Sequence, residues 1–296
     1  MEEKALSRKG MALLLTLAFL SFVGIMDYPF LARMYNERAQ GQVVRDYQEE
    51  TARTEERKRQ EELEKAEAYN RALTTGTGEK IREAAEEDWD HGEYEELLCT
   101  DENGLMALIE IPAIHVMLPV YHGTSEDVLQ KGAGHLEGTS LPTGGEGFHT
   151  AMSAHRGLPG KKMFTDLDQL KEGDTFYIHV LGEILAYEVT GVETVKPDET
   201  EGLAARPGED LATLVTCTPY GINTHRLYIH GERIPYEEEM RAEEGQVEAE
   251  DLWKDWWWLA LTAALFVWYG LLLRYFLRNS EKEQKETAER NREEKS

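Results

Sequence analysis

The chain has 296 residues, 30% of them charged, and Asp plus Glu (57) outnumber Lys plus Arg (32) for a formal charge of -25. That balance excludes nucleic acid as a natural partner, because phosphates would be repelled. Two cysteines, Cys99 and Cys217, are too few for a disulfide scaffold or a four-thiolate zinc site. A single disulfide between them remains open, although Cys217 lies in a polar, β-branched run (TLVTCTPYG) that suits a free nucleophilic thiol.

Gly10 to Met26 and Trp256 to Leu273 carry no charge. As helices each would extend about 25 Å, near the ~30 Å hydrocarbon core of a bilayer. The first can continue through Leu31 only by tolerating Asp27 near the interface; the second starts on a Trp belt and ends at Arg274 and Arg278. Lys4, Arg8 and Lys9 precede the first span, and Arg274, Arg278 and Lys282 follow the second. The positive-inside rule then puts both termini in the cytoplasm and the middle of the chain outside. A cleaved signal peptide is the alternative for the first segment, but no clean small-x-small site follows it. A buried core helix is the alternative for the second.

The predicted order is a cytoplasmic N-terminus (1–9), a transmembrane helix (10–32) and an extracytoplasmic charged helix (33–75). A polar segment (76–103), a β-rich domain (104–236), an acidic linker (237–255), a second transmembrane helix (256–277) and a cytoplasmic tail (278–296) complete it. Residues 36–72 read as an exposed helix laced with i,i+4 charge pairs, with Leu63, Ala66 and Tyr69 among its few apolar contacts. In 81–98, Trp89, Tyr94, Leu97 and Leu98 are isolated apolar anchors, so this segment lies across something else.

From Gly104 onward, short β-branched and aromatic runs alternate with Gly and Pro. Strands are predicted in LMALIEIP, HVMLPVYH, FHTAMSAH, ATLVTC and HRLYIHGERI, with a hairpin turning around Leu181-Gly182-Glu183 and a short helix in KMFTDLDQL. Many short strands in so few residues imply an all-β barrel or sandwich.

A reactive cysteine needs a nearby cation and donors for a developing oxyanion. Cys217 ends one predicted strand and Arg226 opens the next, so the two can lie side by side. On pattern alone the plainer readings stay open: a small buried apolar residue and a solvated charge. Nine histidines leave the base ambiguous; His155 stands out in a Gly/Pro loop (SAHRGLPGKK) after a strand, where catalytic groups are displayed. His149 fits a strand face, and His225 should face away from Arg226. The remaining histidines share no short ligand spacing, so a metal site is not expected.

The runs GAGHLEGTSLPTGGEGFHTAMSAHRGLPGKKMFTDLDQL and ATLVTCTPYGINTHRLYIHGER resemble the catalytic core of class C sortases, the pilin polymerases of Gram-positive bacteria. Their Thr-Leu-x-Thr-Cys motif falls on Thr213, Leu214, Val215, Thr216 and Cys217, their arginine on Arg226 and their histidine on His155. YPFLARMYN and ALIEIPAIHVMLPVYHGTSEDVLQKGAGH are similar to the same family, and the likeness runs from about Asp27 to Ile234. The resemblance implies a closed β-barrel and a cysteine transpeptidase that cleaves an LPxTG-like sorting signal through a thioester. It implies a pilin lysine as acceptor, with Thr213, Leu214 and Thr216 along the substrate groove and no cofactor or metal. Transfer to a peptidoglycan amine and hydrolysis by a Cys-His pair are the alternatives. Members of the family carry a lid with an Asp-Pro-aromatic motif over the cysteine. Here Asp88-Trp89 stands in that place without the proline, and an anchor for a loop on the barrel is the other reading of Trp89.

Overall fold

The computed structural model describes residues 8–73, 92–99, 104–238, 258 and 260–279. Helix α1 (Arg8–Arg53) is continuous from the first apolar segment into the charged region, and α2 (Glu56–Leu73) follows after a break. The chain divides into two compact units, one of residues 1–30 and 248–296 and one of residues 31–247.

In the first unit, the start of α1 accompanies the helix Ala260–Asn279, and both are long and apolar enough to cross a membrane. The rings of Phe19 and Tyr269 stack at 4.1 Å, and the hydroxyls of Thr16 and Tyr269 share a 2.7 Å hydrogen bond. Asp27 accepts from the Trp258 indole and the Thr262 hydroxyl, each at 3.2 Å. Those donors explain how an apolar helix carries a carboxylate: charge in such a segment persists where polar groups on a neighbouring helix satisfy it. Leu13, Phe22, Trp268 and Leu271 point outward and stay exposed.

The second unit is built on a closed barrel, as the family resemblance implies, and the barrel has eight strands. Its strands are β1 (Leu105–Ile111), β2 (Val116–His122), β3 (Ala133–His135) and β4 (Phe148–Ser153). They continue with β5 (Thr175–Val180), β6 (Glu183–Val195), β7 (Asp210–Thr218) and β8 (His225–Ile234). Around the barrel the order is β1-β2-β3-β4-β7-β8-β6-β5, and β5 closes on β1. Two of the pairings are parallel, β2 with β3 and β4 with β7; the others are antiparallel. Alternation along each strand divides its residues between an inner and an outer face. Ile109, Ile111, Met152, Phe176, Leu214 and Ile229 fill the inside and are almost fully buried. The β5–β6 hairpin turns through Leu181 (φ 44°) and Gly182 (φ 90°), the paired left-handed conformation of a two-residue hairpin loop.

Three local expectations are revised. The charged helix is interrupted at Thr54–Glu55, where the Thr54 hydroxyl bonds back to the Glu50 carbonyl at 2.9 Å and ends α1. KMFTDLDQL forms only a 3-10 turn at Leu167–Gln169. Strand β3, three residues with a central glycine, has no alternation by which the sequence would betray it.

The charged helices are also more deeply engaged than their composition suggests. Tyr47 is buried; its hydroxyl donates to the Met106 carbonyl (3.1 Å) and accepts from the Leu181 amide (3.0 Å). Burial pushes that phenol up to about 12, so it stays protonated and able to donate. Asn70 of α2, fully buried, exchanges two bonds with the Leu141 backbone, at 3.0 and 2.7 Å. After α2, a 3-10 turn (Gly92–Glu96) inserts Tyr94, Leu97 and Leu98 into the main core, the anchoring role their isolation in the sequence predicts. The Tyr94 hydroxyl meets Nδ1 of His135 at 2.9 Å, and burial lowers that imidazole to about 4. His135 is therefore neutral; its Nε2 donates to the Ser140 carbonyl (2.9 Å), leaving Nδ1 to accept from the tyrosine.

Tyr47→Phe is expected to lower stability by about 1–3 kcal/mol, because the Leu181 amide and Met106 carbonyl lose a buried partner. For a domain of this size that is about 2–4 °C in Tm per kcal/mol, read by thermal unfolding of the detergent-solubilised chain. An unchanged Tm would mean the hydroxyl contributes nothing.

Candidate active site

Cys217 lies near the end of β7 and is the direct cross-strand partner of Arg226 at the start of β8. Partners in an antiparallel pair project to the same face, with Cβ atoms about 4.5–5.5 Å apart. Ala212 and Leu214 belong to the interior core, so the alternate residues Thr213, Val215 and Cys217 face outward. Arg226 shares that outer face. Its Nη1 lies 3.2 Å from the His225 carbonyl, and no carboxylate pairs with it among the described residues. His225 pairs with Thr218 and so points to the other face, as the strand period requires.

His155 arrives from the opposite side of β7. Strand β4 runs parallel to β7 with Ser153 opposite Val215, and the Ala154 amide donates to the Val215 carbonyl at 3.1 Å. His155 and Cys217 each stand two residues beyond this last ladder pair. The hydroxyl of Thr216 reinforces it by donating to the Ala154 carbonyl at 2.8 Å. Beyond His155 the loop folds back on itself: the Phe164 amide bonds the His155 carbonyl (3.1 Å), and the Gly157 amide bonds the Thr165 hydroxyl (3.1 Å). Residues of α1 hold the loop from outside, Asn36 donating to the Gly160 carbonyl at 2.8 Å and Gln40 meeting the Met163 sulfur at 3.7 Å.

The His155 side chain is 25% exposed, and its Nε2 stands 3.4 Å from a carboxylate oxygen of Glu126. Glu126 opens the four-residue helix α3 (Glu126–Leu129). That separation is an ion-pair distance without a directed hydrogen bond, so the imidazole is not locked to a single acceptor. The Glu126 carboxyl is held below its usual range, first by a hydrogen bond from Gln130 and then by the neighbouring His155.

On this outer face a small apolar cluster of Ala151, Val195, Leu203, Val215 and Tyr228 packs across β4, β6, β7 and β8. Of the predicted groove residues, Thr213 faces this outer side, whereas Leu214 is fully buried inside the barrel and Thr216 serves the β4–β7 register. Asp88 and Trp89 lie outside the described residues. Neither Cys99 nor Cys217 is in a disulfide, which removes that alternative. Two partners of the site were not anticipated from the sequence, Glu126 and Arg156. Both contacts depend on long-range pairings that spacing along the chain cannot display.

The sortase domain family matches residues 109–234. Curated relatives include Sortase A of Streptococcus agalactiae, 30% identical over 126 residues, which is 42% of this chain and 51% of that protein. Sortase A of Bacillus anthracis is 30% identical over 134 residues, 45% of this chain and 62% of that protein. The match thus spans between about half and under two thirds of the length of these relatives. Solved structures extend further. Sortase C of Streptococcus pneumoniae is 45% identical, with 66% of this chain and 97% of that chain covered at a TM-score of 0.61. Sortase C-1 of Actinomyces oris is 46% identical, covering 60% and 99%, with a TM-score of 0.56. Sortase C1 of Streptococcus agalactiae is 40% identical, covering 66% and 100%, with a TM-score of 0.61. With barrel, motif and near-complete coverage of these structures in agreement, the chain belongs to the sortase family, and its structural neighbours are class C sortases.

Proposed function

We propose that this chain is a cysteine transpeptidase that joins a sorting-signal protein to a pilin lysine. The observation that supports it most is the shared outer face of Cys217 and Arg226, with His155 following β4, the strand paired to the other side of β7. The similar pneumococcal Sortase C is described for its catalysis and pilin substrate specificity. In the proposed reaction the Cys217 thiolate attacks the Thr–Gly carbonyl of an LPxTG-like signal. Arg226 stabilises the oxyanion, and collapse of the tetrahedral intermediate breaks the C–N bond while His155 protonates the departing glycine amine. The thioester is then attacked by a lysine amine, which surrenders its proton to His155 and expels the thiolate as an isopeptide bond forms. One amide is exchanged for another, so the cycle balances without an oxidant, reductant or energy donor. An electrostatic donor at the oxyanion is worth about 10²–10³ in rate, which is the scale of contribution assigned to Arg226.

The test is mass spectrometry of the full chain with a sorting-signal peptide and either a pilin lysine peptide, a peptidoglycan-type amine or water as acceptor. We expect an acyl-enzyme on Cys217, preferential transfer to the lysine, none with Cys217→Ala, and full activity with Cys99→Ser. A thioester on Cys99, or transfer only to water, would overturn the assignment; preference for the peptidoglycan amine would move the function to wall anchoring.

Asp88 and Trp89 are proposed as a lid over Cys217, on the strength of the family resemblance and the acidic, core-poor composition around them. In it Asp88 would pair with Arg226 and Trp89 would cover the thiol; an exposed ion pair contributes only about 0.2–1 kcal/mol, so such a lid would open readily for substrate. Replacing both residues with Ala should speed modification of Cys217 by a small thiol reagent; an unaltered rate would leave Trp89 as a loop anchor.

The two apolar helices suggest membrane anchoring. We place both termini in the cytoplasm and the barrel outside, from Lys4, Arg8 and Lys9 before the first span and Arg274, Arg278 and Lys282 after the second. Cysteines introduced at positions near 45 and 245 should react with an impermeant reagent on intact cells, and one placed after 278 should not. Labelling of the tail from outside would refute this topology.

A further inference from the structure

The proposed chemistry engages His155, Cys217 and Arg226 and leaves Arg156 without a task. Its side chain is only 8% exposed, uncommon for an arginine, and a buried guanidinium persists only where it is paired and hydrogen-bonded. Three of its nitrogens have partners. Nη2 meets Asp168 Oδ2 at 2.5 Å, Nε donates to the Thr165 carbonyl at 3.2 Å, and Nη1 donates to the Thr218 hydroxyl at 3.2 Å. The guanidinium also lies 5.9 Å from the centre of the Tyr220 ring, within cation–π range.

These partners fall into two groups. Thr165 and Asp168 belong to the segment that carries His155, whereas Thr218 and Tyr220 follow Cys217 on β7 and its outgoing loop. Arg156 therefore ties the residue after His155 to the residue after Cys217. The Thr216 hydroxyl ties the residue before Cys217 to the residue before His155. The two bridges bracket the pair, one on each side. Only a planar fork can hold a carboxylate, a carbonyl and a hydroxyl at fixed angles at once; a lysine ammonium supplies the charge without the geometry.

We infer that Arg156 is a positioning residue that sets His155 against Cys217, an inference that rests on the transpeptidase reading for its rate readout. Misplacement of a catalytic group by about 1 Å costs about 10²-fold in rate. Arg156→Gln and Arg156→Lys are accordingly expected to lower kcat for acyl-enzyme formation about 10- to 100-fold, with KM changed less than about 2-fold. Thr218→Val, nearly isosteric and removing one arm alone, should produce a smaller fall. The Arg156→Gln/Thr218→Val double variant should be no slower than Arg156→Gln, because the two residues share one bridge.

A second readout needs no substrate: the pH dependence of Cys217 alkylation by iodoacetamide, compared with His155→Ala. Arg156→Gln and Thr218→Val should both move the wild-type profile toward that of His155→Ala. If the wild-type chain forms no acyl-enzyme with any sorting peptide, the transpeptidase reading fails while the alkylation profile still judges Arg156. The inference is overturned if the Arg156→Gln profile overlays wild type, or if wild type and His155→Ala already coincide. It is equally overturned if only KM changes, if the two substitutions act independently, or if Arg156→Lys behaves as wild type. Should Arg156→Gln fail to fold, Thr218→Val and Arg156→Lys carry the same tests.

Discussion

The parallel pairing of β4 with β7 is the constraint on which the rest of the site depends. Cys217 and Arg226, nine residues apart along the chain, are neighbours through a local hairpin-like return between β7 and β8. His155 has no such local tie. It stands two residues past the end of β4, whose six consecutive pairs with β7, Phe148 with Asp210 through Ser153 with Val215, hold two distant strands in one register. A slip of a single residue would turn every side chain of β4 to the opposite face. Burial resists that slip on both faces: Met152 packs inside the barrel and Ala151 in the outer cluster. The register is thus determined by packing, and the placement of the imidazole follows from it.

Helices α1 and α2 extend this logic to the outside of the barrel. Composition marks them as solvated, and many of their charge pairs are indeed exposed i,i+4 contacts such as Arg57 with Glu61. Pairs of that kind contribute little. What secures the helices is a few buried polar groups, Tyr47 and Asn70, which satisfy backbone groups at the irregular start of β1 (Met106), the β5–β6 turn (Leu181) and the β3–β4 connection (Leu141). Further back along α1, Asn36 and Gln40 brace the loop that follows His155. The same helix therefore supports both the closed edge of the barrel and the backbone that displays the imidazole.

How much of this could be read from the sequence depends on how local each signal is. The strands with sustained β-branched or aromatic runs were legible, and so was the adjacency of Cys217 and Arg226, which needs only one turn between two strands. Tyr94, Leu97 and Leu98 were legible as anchors because they are apolar islands in a polar stretch. His155 was set apart by its loop and by family likeness; composition alone left nine candidates. Strand β3 was not legible, since three residues around a glycine carry no period. The break at Thr54 was hidden because both sides of it have the same Glu- and Arg-rich texture. Arg156 was beyond reach for a plainer reason: its meaning lies in Thr218, 62 residues away.

The threonines around the cysteine show how one short motif can serve several elements at once. Thr216 turns inward to fix the β4 register, while Thr213 turns outward between two imidazoles, 2.7 Å from His149 Nε2 and 2.9 Å from His230 Nδ1. Burial lowers His149 to about 4, so it is neutral, and its Nδ1 must donate to the Ala204 carbonyl at 3.1 Å. Its Nε2 is then left to accept the Thr213 proton, and the Thr213 oxygen in turn accepts from His230. A hydroxyl is what this position demands, because it can donate to one ring and accept from the other. Valine would match its shape but leave His149 Nε2 and His230 Nδ1 without their hydroxyl partner, each ring keeping only its other contact, with Ala204 and Glu193. Through Ala204 the chain of bonds secures the connection between β6 and β7 against the sheet, next to Leu203 in the outer cluster. The outer face around Val215, two residues before Cys217, is consequently held by packing on one side and by a directed polar chain on the other.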